Sequence, residues 1–191
     1  MVWIFAAVAV VSAAAGYATA VYLRGMHMTP SSPATMNHST MKMDHGAMVK
    51  TEKDFLVGMI PHHEEAVQSA QELIARTTDP ALTLFLREVI RAQESEIAQM
   101  EAWHLAWYMR EYVDDGSYTP MMQSLPRNTP VAQYEKTWLT DMIVHHEAAV
   151  DMARAVLSID GIHAETRKLA ENIVTVQVAE IEQMKEMLKT R

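Results

Sequence analysis

From about residue 52 to the C-terminus, apolar residues return at intervals of three and four. Leu82, Phe85, Leu86, Val89 and Ile90 show the pattern most clearly, and this spacing places them on one face of an α-helix. Four amphipathic helices are predicted, at about 52–76, 80–112, 130–158 and 164–189. The turn "TTDP" offers Asp79 as N-cap and Pro80 as the first residue of the second helix, since proline suits a position whose N–H would be unbonded anyway. "NTP" offers Thr129 and Pro130 in the same roles for the third helix, and "IDGIH" makes the turn before the fourth. The stretch "DDGSYTPMMQSLPRN" is too rich in Gly and Pro to continue a helix. Helices with one apolar face each must bury those faces against one another, which predicts an all-α fold, a four-helix bundle. Pro61 lies inside the first helix, where it removes one backbone bond and is expected to bend it. Val144 holds the matching place in the third helix, so the two are expected to differ in local bend.

The apolar pattern is also duplicated. "FLVGMIPHHEEAVQSAQELI" from Phe55 aligns with "WLTDMIVHHEAAVDMARAVL" from Trp138 at an offset of 83, and "QESEIAQM" from Gln93 aligns with "QVAEIEQM" from Gln177 at an offset of 84. The bundle, residues 51–191, is therefore two duplicated helical hairpins, with repeats at about 52–112 and 130–190.

Two segments precede it. Val2 to Leu23 carries no charge over 22 residues, enough to cross a bilayer as a helix. Residues 1–24 are expected to be a transmembrane anchor or a signal segment. No Lys or Arg precedes the apolar run, which favours the anchor, while "ATA" at Ala18–Ala20 fits a cleavage site. Arg24 alone would keep the following domain inside by the positive-inside rule, but a single arginine is outweighed by the absence of cysteine, which points to an exported domain at the periplasmic or extracytoplasmic face. Residues 25–50 form a Pro-, Ser- and Thr-rich segment without apolar periodicity, expected to be a disordered linker.

Composition adds the chemistry. The net charge is −8 without a basic patch, which excludes nucleic acid as the main partner. Cysteine is absent and methionine reaches 16, so soft ligation falls to thioethers. The linker interleaves Met26, Met28, Met36, Met41, Met43 and Met48 with His27, His38 and His45. Exposed apolar thioethers bring nothing to a solvated linker. Together with imidazoles they suit copper, Cu(I) above all, with Ag(I) as its mimic.

In the bundle, helical spacing places Met59 near His62 and His63, and Met142 near His145 and His146, with Asp141 one turn before His145 and Met152 two turns after it. On the partner helices Gln93, Glu96 and Met100 form a stripe that Gln177, Glu180 and Met184 repeat. If these stripes face inward, each hairpin gathers His, Met and a carboxylate, as bundle metal sites do. Successive residues diverge by about 100°, so one ligand and one supporting or surface histidine are expected in each pair. Methionine at helical spacing also reads as ordinary core, and Glu64 and Glu147 as solvated. Trp103, His104 and Trp107 read as packing residues, and His163 as a turn residue without a specific role.

At these residues the chain resembles the ferritin-like family catalogued as domain of unknown function 305, which includes periplasmic copper-binding proteins of the CopM type. The family pattern, roughly D-x-M-I-x-H-H-x-x-A-V-x-M-A followed by Q-x-x-E-I-x-x-M, is met by Asp141, Met142, His145, His146, Met152, Gln177, Glu180 and Met184. The first repeat meets it at Met59, His62, His63, Gln93, Glu96 and Met100 but has Gly58 and Ser69 where the pattern has Asp and Met. The second repeat is accordingly expected to be the fuller site. The resemblance implies a ferritin-like bundle that binds copper or silver outside the cytoplasm. The function expected is copper binding for metal tolerance, storage or delivery, without turnover, with a copper transporter or chaperone as partner. A di-iron or other redox enzyme is the first alternative, although the chain has no E-x-x-H and "HHE" reverses that order. A structural, membrane-anchored interaction bundle is the second.

Overall fold

Each helix starts and stops for a local reason. α1, Glu52–Ile74, opens on a capping box in which the Thr51 hydroxyl accepts from the Asp54 amide and the Asp54 carboxylate accepts from the Thr51 amide. It continues unbroken through Pro61. α2, Pro80–Tyr108, is capped by Asp79, which accepts from the amides of Ala81 and Leu82, with Pro80 at its first turn as expected. α3, Val131–Leu157, departs from expectation. Pro130 is its N-cap, Thr129 lies outside it, and no side chain caps it. α4, Ala164–Lys189, follows a turn in which Gly161 has a φ of +78°, a left-handed conformation that favours glycine.

The structure, a computed structural model, describes residues 45–191. The predicted membrane segment and the linker candidates Met26, His27, Met28, Met36, His38, Met41 and Met43 lie outside the described residues. Among the described residues no helix is long and apolar enough to cross a membrane. The described residues include part of the segment read as linker: His45–Met48 form a short 3-10 helix packed on α3, and Val49 is buried in the core.

The core falls into two apolar clusters at opposite ends of the bundle. Phe55, Leu56, Met59 and Ile60 of α1 join Met100 of α2, Met152 and Val156 of α3 and Ile173 of α4 in one. Ala70 and Leu73 of α1 join Phe85 and Val89 of α2, Trp138 and Met142 of α3 and Ile181 and Met184 of α4 in the other. α1 thus runs from the first cluster to the second, α2 returns, and α3 runs parallel to α2. The chain must climb the bundle again between α2 and α3, and residues 109–130 do so as one long crossover, the connection that ferritin-like bundles use. With 27 residues in α3 the climb is about 40 Å, which explains why this connection is long while those within the hairpins are short. α1 packs on α2, α3 on α4, and the two hairpins meet at α1 and α3.

Candidate metal centre

Between the two apolar clusters lies a polar layer. His62, His63, His145 and His146 are all buried, and so are Gln93 and Gln177. The inward stripes expected on α2 and α4 are present: Glu96, Met100 and Met184 are buried and Glu180 is partly so.

The adjacency of the histidines follows from bundle geometry. Neighbouring helices in a four-helix bundle lie roughly at right angles around each helix, close to the angle of about 100° between successive residues. The second histidine of each pair points to the partner helix of its own hairpin, where His63 Nε2 is 2.8 Å from Glu96 Oε2 and His146 Nε2 is 2.9 Å from Glu180 Oε2. The first histidine points across to the other hairpin, where the rings of His62 and His145 pack with centroids 3.7 Å apart and planes tilted by 35°. No member of either pair reaches the surface, which removes the surface position from the roles expected of the second histidine. Asn172 Nδ2 donates to the second oxygen of Glu96 at 3.2 Å.

The central pair is chemically unsatisfied. Both ring nitrogens of His62 and both of His145 are buried without a hydrogen bond, and so are Nδ1 of His63 and of His146. His145 Nε2 lies 3.3 Å from Glu65 Oε2, within ion-pair reach but without hydrogen-bond geometry. Leaving such groups unpaired costs about 1–3 kcal/mol each. Burial, reinforced by the imidazoles of His145, His63, His146 and His45, pushes the His62 ring well below the usual histidine range. Burial likewise pushes His145 to about 4, against the opposing pull of Glu65. Both rings are therefore neutral at pH 7 and keep a free lone pair each.

The thioethers flank this layer. Met59, Met100 and Met152 lie in the first cluster, Met142 and Met184 in the second. Among the described residues no three His, Asp or Glu side chains converge on one point; the layer holds the four imidazoles, with the carboxylates of Glu96, Glu180 and Glu65 against His63, His146 and His145. His45 and Met48 sit in the 3-10 helix on α3, with Met48 exposed.

The departures of the first repeat prove to be packing complements. A Cβ at Gly58 would stand 3.0 Å from Met152 Cε, so the glycine makes room for the methionine of the other repeat. Ser69 accepts from Trp138 Nε1 at 3.1 Å. Asp141, the pattern's acid, accepts from both the amide and the side chain of Gln123, each at 3.0 Å, and so pins the crossover. Sequence reasoning missed Glu65. Its carboxylate accepts from the Tyr118 hydroxyl at 2.5 Å and from the amides of Met121 and Met122 at 2.9 Å each. Burial opposes its charge, but the contacts from His145, Tyr118 and the two amides outweigh it and lower its pKa. The available signal was the mismatch inside the repeated nonapeptide, where Glu65 faces Ala148. His163 was missed as well: its ring stacks on Trp107 at 3.8 Å and its Nδ1 lies 2.7 Å from Glu52 Oε2. His104, read as packing, is buried with Nδ1 2.8 Å from the Arg110 carbonyl.

A family model described as a domain of unknown function, DUF305, matches residues 11–104 and 109–188. The chain belongs to the DUF305 family. Among solved structures it is similar to CopM in its Cu(I)-bound form, with 30% identity, a TM-score of 0.65, and coverage of 73% of this chain and 96% of CopM. CopM with silver soaked in aligns equally well, at 29% identity and a TM-score of 0.64 over 73% of this chain and 96% of CopM. A DUF305 fragment from Deinococcus radiodurans, 24% identical with a TM-score of 0.61 over 78% of this chain and 97% of the fragment, shares the fold. A curated relative, an uncharacterized protein of Acanthamoeba polyphaga mimivirus, is 35% identical over 51 residues, which span 27% of this chain and 34% of the viral protein.

Proposed function

We propose that this DUF305 protein binds copper as Cu(I), with Ag(I) as its mimic and Cu(II) as a further state, outside the cytoplasm, and holds or passes the ion without turnover. The observation that carries this is the central histidine pair: four imidazole nitrogens, buried, neutral and without hydrogen bonds, set between two thioether-bearing clusters. Such a layer is costly in the metal-free protein and fits a soft ion that takes nitrogen and sulfur donors. The similarity to CopM, solved with Cu(I), Cu(II) and Ag, supports the same class of ion here.

His62 and His145 would supply nitrogen, and Met59, Met100, Met142, Met152 and Met184 are the thioethers within the flanking clusters. Glu96 and Glu180 would orient His63 and His146, as carboxylates do behind metal-bound imidazoles. Asp141 serves the crossover. The linker methionines and histidines would capture the ion, the apolar segment at residues 2–23 would tether the protein to a membrane, and a copper transporter or chaperone would receive or supply the cargo.

The test is calorimetric titration of the full chain with Cu(I), alongside a variant carrying His62→Leu and His145→Leu. The native chain should show a tight component that the variant lacks. Identical isotherms would sink the assignment of the bundle site.

A further inference from the structure

We propose that the crossover is a lid over the His62–His145 pair and that Glu65 is the latch holding it shut, so that an ion reaches the pair only after Glu65 releases the loop. The inference rests on the metal-binding function proposed above and concerns how that site is entered.

Glu65 stands three residues after His62 on α1, on the same helical side. Its carboxylate gathers three donors from the crossover, the Tyr118 hydroxyl and the amides of Met121 and Met122. Hydrogen bonds to a carboxylate are the strong kind, so these bind the loop more firmly than its composition would. The same carboxylate lies 3.3 Å from His145 Nε2, and the Tyr118 ring meets the His62 ring edge-on at 6.2 Å. One acid therefore touches both the loop and the unsatisfied pair.

The duplication acts as an internal control. The position equivalent to Glu65 in the second repeat is Ala148, which is buried. A bundle helix thus tolerates alanine at this place, and the acid answers to something the second hairpin lacks. The crossover occurs once and is that something. Asp141, whose counterpart is Gly58, anchors the same loop one residue further on, at Gln123.

Upstream of this anchorage the loop is held only by local bonds. Residues 113–117 are exposed, and their hydrogen bonds are local, from the Gly116 amide to Asp114 and from the Ser117 amide to Asp115. Gly116, at a φ of +74° with open space around its Cβ position, provides a pivot there.

Two measurements on the full chain test the lid. Amide hydrogen exchange at Met121 and Met122 in the metal-free protein reads the latch, and the rate at which the His62 and His145 ring resonances convert after addition of Ag(I) reads the gate. Glu65→Ala, which installs the second repeat's residue, should speed exchange at both amides by about tenfold or more and deliver Ag(I) to the pair several-fold faster. Tyr118→Phe should act in the same direction more weakly, with equilibrium Ag(I) affinity unchanged, and it stands in for Glu65→Ala if that variant fails to fold. Unchanged amide protection would overturn the latch, and faster exchange with an unchanged Ag(I) rate would overturn the gate. If the rings of the native chain never respond to Ag(I), it is the metal-binding function that fails, and the lid with it.

Discussion

At the scale of single residues, the two histidines of each pair carry opposite burdens. His63 pairs its Nε2 with Glu96 and leaves only Nδ1 without a partner, whereas His62 leaves both ring nitrogens unpaired. Replacing His62 with leucine removes the unpaired groups at similar volume, so the metal-free protein should gain about 1–3 kcal/mol in urea denaturation while losing the bundle's share of Ag(I) binding. His63→Leu should do the reverse to stability, costing about 1.5–3 kcal/mol by stripping Glu96 of its ring partner. Equal effects of the two variants on the metal-free protein would contradict the assignment. The same residues set a pH dependence. His62 and His145 have folded pKa values depressed below the ordinary imidazole value, His145 to about 4. The unfolded chain therefore binds protons first as pH falls, and the stability of the metal-free protein should decline from about pH 6.5 towards pH 4, by roughly 1.4 kcal/mol per unit from His145, with His62 adding in the same direction. Below the folded values the loss levels off. Denaturation midpoints across that window check both the sign and the plateau, and a midpoint that rises on acidification would refute it.

At the scale of elements, the hairpins are joined by contacts that no helical period announces. α4 lacks a side-chain cap of its own. The carboxylate of Glu52 on α1 accepts from the His163 amide at 2.9 Å and from its ring, which is stacked on Trp107. This is an N-cap supplied in trans by another helix. Glu52→Ala should cost about 1–2 kcal/mol, the usual range for a lost cap, with amide exchange rising in the first turn of α4 and not in the first turn of α2. Equal exchange at the two helix starts would show the clasp to be idle. The crossover is tied in the same way, through Glu65 and Asp141, so two of the acids in this bundle serve chain connectivity.

At the scale of the molecule, a polar layer divides one core into two. An ion bound there stabilises the native state alone, by about 2.7 kcal/mol at a free concentration 100 times its dissociation constant. Saturating Ag(I) should therefore raise the melting temperature of the native chain and leave that of His62→Leu, His145→Leu unchanged. A shift that persists in the double variant would place the stabilising ion elsewhere, with the linker as the first place to look.

Much of this architecture was legible in the residues themselves. Four helices, their inward stripes and the two-hairpin duplication all follow from a period of three to four and a repeated segment, because those signals depend only on local helix geometry. Asp79 and Pro80 stand where cap chemistry places them, whereas Thr129 does not cap α3: Pro130 takes that position, and the Thr129 amide turns back to the Pro126 carbonyl. The residue types of the proposed site, imidazole and thioether without cysteine, are equally plain in the composition. What the chain alone could not reveal is which groups go unsatisfied. That His62 meets His145 while His63 meets Glu96, that Gly58 leaves room for Met152, and that Glu65 and Asp141 hold the crossover are facts about neighbours 18 to 94 residues apart. Local periodicity determined the helices and their faces. Only the packing of one hairpin against the other decided which face residue finds a partner and which is left with open lone pairs, because a hydrogen bond or its absence is set by distance in space and not by order along the chain.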